Sequence, residues 1–153
     1  MSDKIRITIS LPLDESGMVG RQCPNPDCQR YFKVKPGTGI VDPDYAEMFC
    51  PYCESEYSVD EFNTEDQQEY FRSSLIKFSS DLLEDAIKQI FNRPHPPRSS
   101  KSFLSVEWHY KPGTPPRIHE YVEQELQTTL TCENCALEYA VWGVFAVCPD
   151  CGK

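Results

Sequence analysis

The eight cysteines of this 153-residue chain fall into four close pairs, with none left over. The pairs are Cys23/Cys28, Cys50/Cys53, Cys132/Cys135 and Cys148/Cys151, and they form two groups of four. The first group reads C-x4-C, 21 residues, C-x2-C; the second reads C-x2-C, 12 residues, C-x2-C. A pair spaced in this way offers two sulfurs to one metal ion from a single tight turn, and two such turns complete a tetrahedron. The spacing therefore predicts two separate metal sites of four thiolates each. Interleaved pairing between the groups is disfavoured by the 78 residues that separate Cys53 from Cys132.

Segments of about 40 or about 26 residues, the spans of the two groups, cannot normally bury enough apolar surface to fold alone. The opening MSDKIRITIS has neither the apolar core nor the cleavage site of a secretory signal. No apolar run approaches the roughly 20 residues of a membrane span. The expectation is a reducing, cytoplasmic setting, in which paired cysteines serve as metal ligands rather than disulfides. Zinc is the expected metal, two structural ions in all. Four thiolates fill its shell and leave no position for water, which disfavours a catalytic role for the ion. Iron accepts the same ligands, but two sites of such different spacing argue against electron transfer.

Between the cysteines the pattern is mixed. Ile5, Ile7, Ile9 and Leu11 alternate with polar residues, which predicts a half-buried strand over 4–11. Tyr31-Phe32-Lys33-Val34 and Glu56-Tyr57-Ser58-Val59 read as short partner strands. Thr64 is a helix N-cap candidate, with Gln67 completing a capping box and Glu65-Asp66 suiting the positive helix end. From there to Phe91 no Gly or Pro intervenes. Phe71, Leu75, Phe78 and Leu82 form one helical stripe, and Ile76, Leu83, Ile87 and Ile90 a second on an adjoining face. Two apolar faces predict packing against both cysteine segments and the N-terminal strand, or pairing of one face with a second copy or another partner.

The segment NRPHPPRSS (92–100) carries three prolines and reads as a linker. Leu104, Val106, Trp108 and Tyr110 then alternate as a strand. Ile118, Val122, Leu126 and Leu130 fit both helix and strand periods, with a strand favoured from Leu126 to Thr131. The apolar run 139–147, with Gly143 inside it, suggests a hairpin turning or bulging at the glycine.

The knuckles Cys23-Pro24-Asn25-Pro26-Asp27-Cys28, Cys50-Pro51-Tyr52-Cys53 and Cys148-Pro149-Asp150-Cys151-Gly152, with short strands beside them, resemble those of zinc-ribbon proteins. The resemblance implies an α+β, zinc-stabilised fold: two zinc ribbons of short β-hairpins flanking one long helix and a proline-rich linker. The expected organisation is a strand plus first ribbon (1–62), helix (63–92), linker (93–101), and a hairpin plus second ribbon (102–153).

Function is less sharply marked. The chain has 15 Lys+Arg against 24 Asp+Glu, a formal charge of -9. Each zinc with four thiolates adds a further -2, for about -13 with both sites filled. That charge repels nucleic acid and anionic membranes on average. A local basic and aromatic stretch over 93–117 is the candidate exception, with Arg93, Arg98, Lys101, Lys111 and Arg117 against Glu107 alone. His95, His109 and His119 fall in or beside proline-rich stretches and form no catalytic motif, so no enzyme is expected. The favoured expectation is a non-enzymatic adaptor or accessory protein. Its partner would be met through the apolar hairpin residues Trp142, Val144 and Phe145, with a homodimer through the 64–91 helix as a further expectation. A nucleic-acid-binding regulator and a redox-sensitive zinc-thiolate switch or chaperone are the alternatives.

Overall fold

A computed structural model of the protein describes residues 7–39, 47–91, 111, 113–144 and 146–153, with only the backbone of Phe91. The strands are short and sit against the cysteine turns. β1 (Val19–Gln22) enters the first knuckle and β2 (Tyr31–Val34) leaves it. β3 (Glu47–Phe49) and β4 (Glu56–Ser58) flank Cys50 and Cys53. A 3-10 turn (Val59–Phe62) leads to the helix α1 (Glu65–Phe91). β5 (Thr128–Thr131) and β6 (Glu138–Val141) flank Cys132 and Cys135.

The two cysteine segments share one sheet. Its order is β1-β2-β6-β5, while β3 and β4 form a separate hairpin. Two antiparallel hairpins are thus joined through their inner strands, with Lys33 opposite Ala140 and Val34 opposite Tyr139. Counted from the cysteines, the hairpins match residue for residue. β1 and β5 each occupy the four residues before the first cysteine of a knuckle. β2 and β6 each begin three residues after its second cysteine. Val19 pairs with Val34 as Thr128 pairs with Val141, and Gln22 with Tyr31 as Thr131 with Glu138. Lys33 and Ala140 are equivalent positions, so a pseudo-two-fold axis runs between them.

The sequence expectation for β4 needs correction. It does not pair with β2, whose two edges are taken by β1 and β6; β4 pairs with β3 instead. Residues 7–11 are also not a strand but irregular chain, although Leu11 still packs on the core. A period-two pattern records which side chains face inward, and an irregular extended segment satisfies it as well. The linker and residues 102–110 lie outside the described residues.

One cluster of buried residues serves both halves. Phe32, Val34, Met48, Phe62, Leu137, Tyr139 and Val141 pack together with Cys23, Cys50, Cys135 and Cys148. Phe32 meets Phe62 and Tyr52 edge-on, with ring centroids 5.7 and 6.5 Å apart. Lys33 is only 5% exposed, and its Nζ lies 2.7 Å from the Asp14 carboxylate. Burial opposes the Asp14 charge, but hydrogen bonds from Lys33 and from the Met18 and Ser16 amides hold its pKa below the ordinary value.

The helix begins where its caps dictate. Thr64 N donates to Gln67 Oε1 (3.1 Å), and Gln67 N donates to Thr64 Oγ1 (3.2 Å), the reciprocal capping box. Gln67 is fully buried and also docks the helix: its Nε2 donates to Gly20 O (2.9 Å) and to Glu123 Oε1 (3.3 Å). Arg21 Nη1 donates to Asn63 Oδ1 (3.0 Å), and the Tyr31 hydroxyl donates to Glu123. A Cβ at Gly20 would collide with both the Tyr31 hydroxyl and Glu123, so this strand position needs glycine for the close approach.

Residues 113–127 are neither the helix nor the strand that their spacing allowed. They form an irregular strap running antiparallel to the start of α1. His119 N donates to Ser73 Oγ (2.9 Å), Tyr121 stacks edge-on against Tyr70, and Glu123 reaches Gln67. Beyond this anchor the helix is largely uncovered among the described residues. Leu75, Ile76, Leu82, Leu83 and Ile90 are all exposed, Leu83 by 65%. The cysteine segments cover one another instead of the two helix stripes.

Replacing Thr64 by Ala removes one half of the capping box and leaves an N–H of the first turn unmatched. The expected cost is about 1 kcal/mol, read as a lower denaturant midpoint. An unchanged midpoint would show that Gln67 docking alone fixes the helix start.

Candidate metal centres

Four knuckles bring the eight sulfurs together, and they share one backbone plan. In three of them the first cysteine's N–H donates to the carbonyl five residues on: Cys50 to Ser55, Cys132 to Leu137, and Cys148 to Lys153, each at 2.9 Å. Its carbonyl accepts from the residue after the second cysteine, as in Ala136 N to Cys132 O at 2.8 Å. That residue has a positive φ in every knuckle: Gln29 (49°), Glu54 (61°), Ala136 (61°) and Gly152 (65°).

The first knuckle keeps this plan despite its longer spacing. Asn25 stands three residues before Cys28, where the other knuckles carry their first cysteine. Its carbonyl accepts from Gln29 N (3.0 Å), and Cys23 N reaches past the two additional residues to Arg30 O (3.0 Å). The insertion is absorbed inside the loop, so β1 and β2 keep the register that β5 and β6 have.

The clusters are Cys23, Cys28, Cys50, Cys53 and Cys132, Cys135, Cys148, Cys151, with all Sγ atoms of each within 4.8 Å of one another. The close sulfur pairs cross between knuckles. Cys23 and Cys53 are 3.6 Å apart, Cys28 and Cys50 3.7 Å, Cys132 and Cys151 3.6 Å, and Cys135 and Cys148 3.4 Å. Four sulfurs at about 2.3 Å from a central zinc ion stand about 3.8 Å apart. A disulfide needs about 2.05 Å, and all eight cysteines are free thiols. Each cluster could therefore hold one metal ion; the geometry is compatible with zinc and with zinc-ribbon-like sites.

Neighbours moderate the sulfur charge. The Ser55 hydroxyl is 3.4 Å from Cys53 Sγ, and Asn25 Nδ2 lies 4.0 Å from the same sulfur and 3.3 Å from Ser55 Oγ. Burial raises the pKa of Cys53, but these Ser55 contacts and the neighbouring thiols bring it down to about 6. The Cys135 amide leads in lowering Cys132 to about 7. Burial pushes Cys50 and Cys148 up to about 11 and lifts Cys23 and Cys135 further. Each cluster thus pairs one more acidic thiol, Cys53 or Cys132, with two buried thiols that hold their protons more tightly.

Other residues singled out in the sequence are dispersed. Trp142 and Val144 are exposed, by 41% and 74%, just beyond β6. Phe145 lies outside the described residues, as do Arg93, Arg98 and Lys101. Lys111 and Arg117 are exposed. The chain bends at Gly143 (φ 94°) but does not return as a hairpin with β6, whose edges belong to β5 and β2. The sequence reading missed Tyr52, which lies between two cysteines of the first cluster. Its hydroxyl donates to Tyr31 O (2.8 Å) and accepts from Trp142 N (2.9 Å). The Arg30 guanidinium covers its ring at 3.7 Å. An aromatic residue within a knuckle was the available signal.

Comparison with protein-family models, with curated proteins and with solved structures found no match.

Metal binding needs thiolates, so protons compete with the ion. As pH falls through 7 and then 6, protons return to Cys132 and then Cys53. Affinity is therefore expected to fall steadily on the acid side in chelator competition; a flat profile between about pH 8 and about pH 5 would contradict the ligand assignment. Ala136 is exposed and holds a left-handed backbone. Ala136→Gly is expected to stabilise the zinc-supplemented protein by about 0.5–1 kcal/mol, read as a higher unfolding midpoint.

Proposed function

We propose that both clusters hold structural zinc in ribbon-type sites, and that the protein is a non-enzymatic adaptor built on them. The closed sulfur tetrads carry this reading. Four thiolates at tetrahedral spacing complete the shell of each ion, so the metals would fix shape rather than act on a substrate. Residues 142–144 project from that scaffold immediately after β6. Trp142 and Val144 are exposed there, and the Trp142 backbone bonds to Tyr52, whose ring carries the stacked Arg30. Tryptophan, tyrosine and arginine on a rigid frame are the residue types that dominate protein interfaces. The uncovered apolar side of α1 is a second candidate contact, for a partner or for another copy of the chain.

Elemental analysis is expected to find two zinc ions per chain. Val144→Asp puts a charge on an exposed position outside both sulfur clusters. It is expected to weaken capture of a stoichiometric protein partner by ~10-fold or more while the zinc content stays at two. Full capture by V144D would remove this surface from the proposal.

A further inference from the structure

We infer that the two metal sites form one cooperative unit, in which filling either cluster completes the framework of the other. This rests on the reading of both clusters as metal sites, and concerns what each requires of its neighbour.

Neither cluster owns the walls that support it. The knuckle at Cys50 and the knuckle at Cys148 bond directly to each other: Phe49 N donates to Pro149 O (2.8 Å), and Val147 N donates to Pro51 O (3.0 Å). Phe49 and Val147 each precede a cysteine, and Pro51 and Pro149 each follow one. The two bonds are therefore equivalent under the pseudo-two-fold axis. The cysteines they bracket, Cys50 and Cys148, are fully buried. Phe49 also lays its ring 3.4 Å from where a Cβ on Gly152 would stand, beside the second cluster.

A second connection runs through the sheet. β2, which leaves the Cys23/Cys28 knuckle, pairs with β6, which leaves the Cys132/Cys135 knuckle. On one side of this seam Lys35 N donates directly to Glu138 O (2.9 Å). The symmetry-equivalent groups, Trp142 N and Tyr31 O, are bridged by the Tyr52 hydroxyl. Tyr52 belongs to the first cluster's second knuckle, so its position depends on Cys50 and Cys53 meeting their ion. Sulfurs of both clusters line the same buried core.

A site whose ligands are already placed binds its ion without the cost of ordering them. The first ion to enter fixes one pair of knuckles, and through the two inter-knuckle bonds and the β2–β6 seam it orders the other pair. Linkage makes the effect reciprocal, with a strengthening of ~5- to 150-fold for the second ion.

The reduced, metal-stripped chain, titrated with zinc to one equivalent and read by native mass spectrometry, tests this. Chains with no ion and with two should dominate, and the one-ion form should fall well below the share of about half expected for equal, independent sites. A one-ion form at half or more would overturn the coupling while leaving the metal assignment intact. Failure to take up zinc at all would overturn the metal assignment, and the coupling with it. The variant C148S/C151S keeps Cys23, Cys28, Cys50 and Cys53, and is expected to hold its remaining ion ~5- to 150-fold more weakly. Retention at the natural chain's affinity would overturn the coupling.

Discussion

The structure depends on the antiparallel meeting of β2 and β6. Each belongs to a hairpin of four-residue strands around a cysteine knuckle, and a lone two-stranded hairpin is marginal in water. Joined edge to edge, the hairpins make a four-stranded sheet whose inner strands have no free edge. That pairing lets Phe32 and Val141, from opposite ends of the sequence, be fully buried in a common core. It also sets the two cysteine clusters side by side. Their outer knuckles can then bond to each other through Phe49, Pro51, Val147 and Pro149.

The helix and strap are attached by polar chemistry rather than by the apolar stripes of α1. Gln67 serves twice, closing the capping box and reaching Gly20 and Glu123. Glu123 in turn receives the Tyr31 hydroxyl, whose pKa rises with burial and with this carboxylate beside it. Burial lowers the pKa of Arg21, opposed by Glu123 and other nearby groups. Buried Gln67, bonded to Gly20 and to half-buried Glu123, fixes orientation more strictly than packing does, because a misplaced partner leaves a buried polar group unmatched. The distal helix has no such anchor among the described residues, and its leucines and isoleucines remain available.

Some of this was legible residue by residue. The C-x2-C spacings marked turns that hold their geometry locally, and Thr64 with Gln67 marked the helix start, because both signals act within five residues. The internal repeat was hidden. The hairpins match in register, yet C-x4-C against C-x2-C, and 21 residues against 12 between knuckles, disguise the match. The Asn25 carbonyl, taking over the role of a first cysteine, and the Cys23–Arg30 bond reveal that the extra residues are looped out. The Glu56–Val59 segment was read correctly as a site of strand formation but assigned the wrong partner, since period-two patterning says nothing about which edge a strand will meet.

The sequence by itself determined the chemistry at short range. Eight cysteines in four pairs, their knuckle turns and the helix cap are fixed by neighbours in the chain, where few conformations satisfy the spacing. Tertiary structure alone decided that the two groups face each other across one sheet, that Tyr52 closes their seam, and that Gln67 and Glu123 tie the strap to the helix. Those contacts join residues from 21 to 107 positions apart, and depend on which backbone donors and acceptors remain unpaired once the local turns have formed. No pattern within a window records that balance; it exists only when the segments meet.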